Sequence, residues 1–256
     1  MFKQKGLAIV NARPFLFVTL LILKQVSIVK KKLLILVFLL SFPSILYVIL
    51  STGEINFIHL PYIGERELAP NGKDTIYHSI PPFSFINQDG KIITEKNYEG
   101  KIYVADYFFT SCKSICPKMT TELLRVQEKF AYTKGLVQLL SHTVDPEHDS
   151  VPVLKAYANM VHADTKNWNF VTGDKKQLYD LARNGYLVNA MQGDGGKDDF
   201  IHSEFLVLVD KEKHIRGIYD GTNIKSVNDL LDDIKVLIAE YYIKENDEKV
   251  KREKGE

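Results

Sequence analysis

What this 256-residue chain lacks narrows its chemistry before any motif is read. It has only two cysteines, Cys112 and Cys116, so a four-sulfur structural zinc site is excluded. No glycine-rich phosphate loop occurs anywhere in it. Acidic residues are missing from the first 53 positions, where Lys3, Lys5, Arg13, Lys24, Lys30, Lys31 and Lys32 supply all the charge. The 203 residues after them carry 26 basic against 32 acidic groups, a net of −6. That balance argues against nucleic acid as a partner, because such binding needs a basic face. The apolar share of 45% and charged share of 25% are ordinary for a folded protein with a real core. The length suits one large domain or two small ones.

Leu33 to Leu50 reads LLILVFLLSFPSILYVIL, eighteen residues without a charge. As a helix it is just long enough to span a bilayer, and a kink at Pro43 is tolerable there. Lys30, Lys31 and Lys32 stand directly before it. The positive-inside rule then keeps residues 1–32 in the cytoplasm and places everything after about residue 53 outside, on the periplasmic side of an inner membrane. A cleavable signal peptide is the rival reading, but no small-x-small cleavage site follows closely. The run Phe15 to Leu23 is too short to span; were it to do so, the domain would return to the cytoplasm. Residues 51–80 read as a linker, broken by Pro61, Gly64, Pro70 and Gly72.

Beyond it, FSFINQDGKIIT is a hairpin turning at Asp89-Gly90. Lys101 to Phe109 is a buried-strand run, and YFFTSCKSICPKM follows at once. Met119, Leu123, Val126 and Phe130 recur at helical spacing. Strands are expected at 136–144, 168–171, 205–209 and 214–219. Helices are expected at 151–161, at 174–184 capped by Asp174, and from Ser226 along the stripe Val227, Leu230, Leu231, Ile234, Leu237, Ile238 and Tyr241. Gly193 to Asp199 is a glycine-rich acidic loop, and 244–256 a charged tail expected to be disordered. Strands alternating with helices, closing on a hairpin and a helix, make this an α/β or α+β chain with a sheet between helices. One folded domain is expected over 81–243.

Two thiols four positions apart, on a strand that leads into a helix, can form a disulfide, grip a soft metal together or fill space. A helix N-terminus stabilises a thiolate, and the thiolate is both nucleophile and metal ligand. Thr110 or Ser111 can cap that helix, and Pro117 fits its first turn. Three residues separate the cysteines, Lys113, Ser114 and Ile115, where redox motifs usually have two. That spacing permits a disulfide and also lets both sulfurs flank one ion, copper(I) above all or zinc. A disulfide closing so short a loop would add little stability. Any third ligand must be a histidine or carboxylate from elsewhere. Of the seven histidines, His202 stands out because it opens the Ser203–Val209 strand; His142 and His148, flanking Asp145-Pro146, are next.

The runs FFTSCKSICPKM, VDPEHDSVPVLKAYA and HSEFLVLVD, in that order, resemble the Sco/SenC family of membrane-anchored copper-binding proteins over about residues 80–243. The resemblance implies a thioredoxin-like fold, a central mixed sheet flanked by helices, behind an N-terminal transmembrane anchor. It implies that Cys112, Cys116 and His202 are copper ligands and that Asp145 stands beside them. It also implies a role in assembling the dinuclear copper centre of cytochrome c oxidase, whose copper-bearing subunit, or another copper protein, would be the partner. Some relatives look more like thiol-disulfide reductases or redox sensors, and for them the cysteine pair would be catalytic. Lys113 departs from the pattern, since proline commonly follows the first cysteine.

Overall fold

The computed structural model describes residue 31 and residues 36–45, 59–188 and 203–254. Residues 36–45, in the middle of the apolar run, are helical. Among the described residues no helix is long and apolar enough to cross a membrane. The ends of the 33–50 run, the 15–23 run, the 193–199 loop and His202 lie outside the described residues.

The chain from His59 onward belongs to one compact unit built on a seven-stranded sheet. Its spine is β5 (Ile102–Phe108), buried at every position, as a strand covered on both faces must be. Around it stand β3 (Ser84–Asn87), β4 (Ile92–Thr94), β6 (Val137–Thr143), β7 (Trp168–Thr172), β8 (Phe205–Val209) and β9 (Ile215–Asp220). The spatial order is β4-β3-β7-β6-β5-β8-β9. Strands β5, β6 and β7 run parallel, and the rest pair antiparallel. The β3–β4 hairpin turns at Gly90, whose φ of +74° suits a residue without Cβ. The Asn87 side chain accepts the N–H groups of Asp89 and Lys91 there.

Helices α1 (Cys116–Lys129), α2 (Val151–Met160) and α4 (Ile224–Lys254) cover one face of the sheet. Met119, Leu123 and Val126 of α1 and Val227, Leu230, Ile234 and Leu237 of α4 meet Ile102, Val104, Phe108 and Leu208 in that core. The opposite face packs Tyr103, Tyr107, Leu140 and Val207 against Phe83, Tyr98 and α3 (Lys175–Asp180). Asp174 caps α3 by accepting the Gln177 N–H at 2.9 Å, and the helix runs on into a π turn, Leu181–Gly185.

Three expectations need correction. The stretch read as a linker is folded against the domain from residue 59. Ile63 pairs with Ile215, and β1 (Arg66–Leu68) with β2 (Thr75–Tyr77) forms a separate hairpin. Residues 60–62 are anchored by Arg216, whose side chain is 1% exposed. Arg216 donates to the Leu60 carbonyl at 2.7 Å, pairs with Asp210 at 3.0 Å and Glu240 at 3.1 Å, and lies 4.3 Å over the Tyr62 ring. The final helix is capped by Asn223, which accepts the N–H groups of Lys225 and Ser226, while the Ser226 hydroxyl accepts from Asp220. The charged tail is helical through Lys254. It has no glycine or proline before that point, and Lys211–Glu245 and Arg252–Glu248 pairs line it.

Replacing Arg216 leaves the buried Asp210 carboxylate without its countercharge. Arg216→Ala is expected to destabilise the domain by about 3–5 kcal/mol in chemical denaturation, the usual cost of breaking a buried pair.

Candidate metal and thiol site

Both cysteines sit at the C-terminal end of β5, where the chain leaves the sheet. Cys112 stands in the loop, its N–H donating to the Phe109 carbonyl at 3.2 Å. Cys116 opens α1 and is buried, and Pro117 occupies the first turn as its sequence position suggests. Cys112 is therefore a loop residue and Cys116 a helix start. Ile115 holds the N-cap position without a side-chain cap, so neither Thr110 nor Ser111 serves there.

Both thiols are free, and their environments drive them apart. At Cys112 partial burial works against the thiolate. Hydrogen bonds from the Cys116 thiol, the Ser114 and Cys116 backbone N–H groups and the Ser114 hydroxyl outweigh it and lower the pKa to about 7. Burial pushes Cys116 up to about 12, and the hydrogen bond it gives Cys112 holds its proton in place. One thiol is thus ready to react near neutrality, and the other is a protonated donor beneath it.

The loop is fixed by a residue the sequence reading passed over. Asp149 is fully buried and accepts four hydrogen bonds. They come from the Thr110 N–H at 3.1 Å, the Thr110 hydroxyl at 2.5 Å, the Thr143 hydroxyl at 2.5 Å and His148 Nδ1 at 2.9 Å. This carboxylate ties the start of the cysteine loop to the end of β6. An acid just before Ser150 and its helix was the available signal, but it reads equally well as an ordinary helix approach.

Asp106 was also passed over, although a carboxyl inside KIYVADYFF is conspicuous. It lies on the α1 face of β5, where it accepts the Ser141 hydroxyl at 2.5 Å, and Ser141 accepts Trp168 Nε1–H at 2.8 Å. Burial raises its pKa to about 7, against the lesser effect of the Ser141 bond.

Asp145 lies half-buried just past β6, at the cysteine end of the sheet because Phe108 and Thr143 are level in the parallel register. Its N–H donates to the Thr143 hydroxyl, and its carbonyl accepts from His148 and Asp149. Its carboxylate makes no hydrogen bond to either cysteine among the described contacts. His142 belongs to the other face of the sheet. It stacks on Tyr107 at 4.8 Å, its Nδ1 donates to the Asp106 carbonyl at 3.3 Å, and burial lowers its pKa to about 3. That face does not hold Cys116, so His142 is removed as a ligand. His148 stays on the cysteine side, half-exposed.

His202 lies outside the described residues, but the strand it precedes does not. β8 pairs antiparallel with β5, Ala105 level with Val207. The same register, continued, sets Phe205 level with Tyr107, so β8 begins at the cysteine end. Among the described residues no three His, Cys, Asp or Glu side chains are grouped to hold a metal ion.

A mixed sheet whose central strand delivers two cysteines to the start of a helix defines a thioredoxin-like α/β protein, and comparison with known proteins agrees. The SCO1/SenC family model matches residues 72–239, and the chain belongs to that family. It is 29% identical to the SCO1 protein homolog of Bacillus subtilis over 72% of this chain and 93% of the relative. BsSco, described as a member of the Sco family of cytochrome c oxidase assembly proteins with a disulfide switch, superposes with a TM-score of 0.54. That match has 30% identity and covers 62% of this chain and 93% of that one. ScoI of Arabidopsis thaliana, solved with copper bound, gives 0.52 and 29% over 63% of this chain and 99% of its own.

Two outcomes follow for the thiols and for Asp106. Alkylation of Cys112 by iodoacetamide is expected to rise with pH through about 7 and then level, while Cys116 stays unmodified until the chain is denatured, both read by mass spectrometry. Asp106 keeps its proton better folded than unfolded, so the fold loses stability as pH rises from about 4 to about 7. Asp106→Asn should remove that loss, leaving the variant the more stable form at pH 8 in urea unfolding.

Proposed function

We propose that the protein is a copper chaperone: Cys112 and Cys116 hold copper(I) as thiolates, with His202 as the third ligand. The observation that carries this is the pairing of two free thiols at a helix start, one of them ionising near neutrality, at the end of the sheet where β8 begins. Soft thiolates select copper(I), and a two-sulfur, one-nitrogen set leaves the ion open on one side for transfer. The relative solved with copper bound supports the cargo, and the one described as a cytochrome c oxidase assembly protein supports the destination. The client would be the copper-bearing subunit of that oxidase or another copper protein. The uncharged 33–50 run after Lys30-Lys31-Lys32 supports an anchor with the domain on the outer, periplasmic side.

In this site the chain's own groups have separate tasks. The N–H donors at the start of α1 and the Ser114 hydroxyl steady the sulfur charge of Cys112. Cys116 enters the coordination sphere only after losing its proton, which its burial resists until a cation lies alongside. Asp145, hydrogen-bonded to neither thiol among the described contacts, contributes negative charge to the turn past β6. Asp149 holds the loop in register.

A second reading has an observation of its own. An ionised, accessible thiol beside a buried, protonated one is the asymmetry that thiol–disulfide exchange uses: Cys112 attacks, and Cys116 resolves the mixed disulfide. The disulfide switch described for BsSco favours it further. Under this reading the protein is a membrane-anchored thiol-disulfide reductase or redox sensor.

Copper(I) titration of the full chain separates the two. Cys112→Ser, Cys116→Ser and His202→Ala are each expected to lose tight copper binding. If His202→Ala binds copper as wild type does and keeps its turnover of a disulfide substrate, the reductase reading stands and the chaperone reading falls.

A further inference from the structure

The turn after β6 reads Asp145-Pro146-Glu147-His148-Asp149, and it carries a histidine that the proposed site does not use. His148 Nδ1 donates to Asp149 at 2.9 Å and lies 3.5 Å from the Thr110 hydroxyl, two residues along the loop from Cys112. The side chain is 55% exposed while that of Asp149 is 0% exposed, and Nε2, the ring's other nitrogen, makes none of the ring's described hydrogen bonds.

The direction of this arrangement matters. Asp149 already accepts three hydrogen bonds from Thr110 and Thr143, so it does not need the histidine to compensate its charge. The reverse holds: the buried carboxylate fixes the tautomer and orientation of the imidazole. A histidine that gives one N–H to a carboxylate and presents the other nitrogen with its lone pair is arranged as metal-ligating histidines are.

Charge distinguishes the two sides of the cysteine loop. Lys113 and Lys118 flank the cysteines and are exposed, and they repel an approaching cation. The 145–149 turn carries three acids and no base, with Glu147 exposed and Asp145 half-buried. A cation therefore approaches over the turn, where His148 is the sole nitrogen donor among the side chains. It is not a third ligand of the resting pair, since no three ligating side chains are grouped among the described residues.

We propose that His148 is the entry ligand for copper: its Nε2 takes the ion first and passes it to Cys112 and Cys116. This rests on the chaperone reading. Transfer is ligand exchange without redox change. The Nε2 bond to copper(I) replaces one to the carrier; the two sulfur bonds then replace the Nε2 bond and what remains of the carrier's, Cys116 releasing its proton to water and Cys112 joining as the thiolate.

The test follows copper(I) leaving its coloured bicinchoninate complex for the full chain by stopped flow. His148→Ala should slow uptake and release several-fold by the same factor, with final stoichiometry, affinity and unfolding midpoint unchanged. Free imidazole should restore the rate. Uptake as fast as wild type overturns the proposal. So does slow uptake with a matching loss of affinity, which would make His148 a ligand of the loaded site. A wild-type chain that takes up no copper would instead refute the chaperone reading itself.

Discussion

The site depends on one buried carboxylate. Asp149 accepts from the backbone and hydroxyl of Thr110, from the Thr143 hydroxyl and from His148. Hydrogen bonds to a charged acceptor are among the stronger ones, and a buried charge without donors would be costly enough to unfold the turn. The four donors belong to separate stretches of chain: the end of β5, the end of β6 and the turn before α2. Satisfying Asp149 forces these stretches together. Cys112 then sits in a loop that cannot drift from the helix start holding Cys116, and the acidic turn lies alongside.

The sheet does the second sorting. Alternate residues of β5 point to opposite faces, so Asp106 and Phe108 share the α1 side with Cys116, while Tyr107 turns to the other. On β6 the same alternation sends Ser141 toward Asp106 and His142 into an aromatic cage with Tyr107, Phe83 and Phe85. Of the two histidines that flank the Asp145-Pro146 turn, one is thus sealed away from the sulfurs, and the other is left in water beside their loop. The thiols themselves are sorted by burial, Cys112 toward ionisation and Cys116 away from it.

Much of the fold was legible along the chain. The unbroken apolar run of β5, the Asp89-Gly90 turn, the Met119–Leu123–Val126 spacing of α1 and the Asp174 cap are local signals, and each appears where its residues put it. The misread places share a cause. Residues 59–63 have no period of their own, and they are ordered by Arg216, some 150 positions away in the chain. The final helix starts at Ile224, capped by Asn223, because that side chain, not the Ser226 hydroxyl, reaches the free N–H groups. The helical tail through Lys254 shows that charge density alone does not disorder a chain of good helix formers.

At the site, the sequence by itself determined which two thiols the chain has, their position between a buried strand and a helix, and the family. Chemistry and order along the chain are local properties. It could not assign Asp149 or Asp106, nor separate His142 from His148, because an acid or a histidine looks alike in sequence whichever way its strand faces. Only the tertiary structure decided that Cys112 is the ionisable thiol and Cys116 the buried one, and that a carboxylate 37 positions beyond Cys112 holds their loop in place. Those assignments depend on burial and on donors from distant segments, which come together only when the sheet closes.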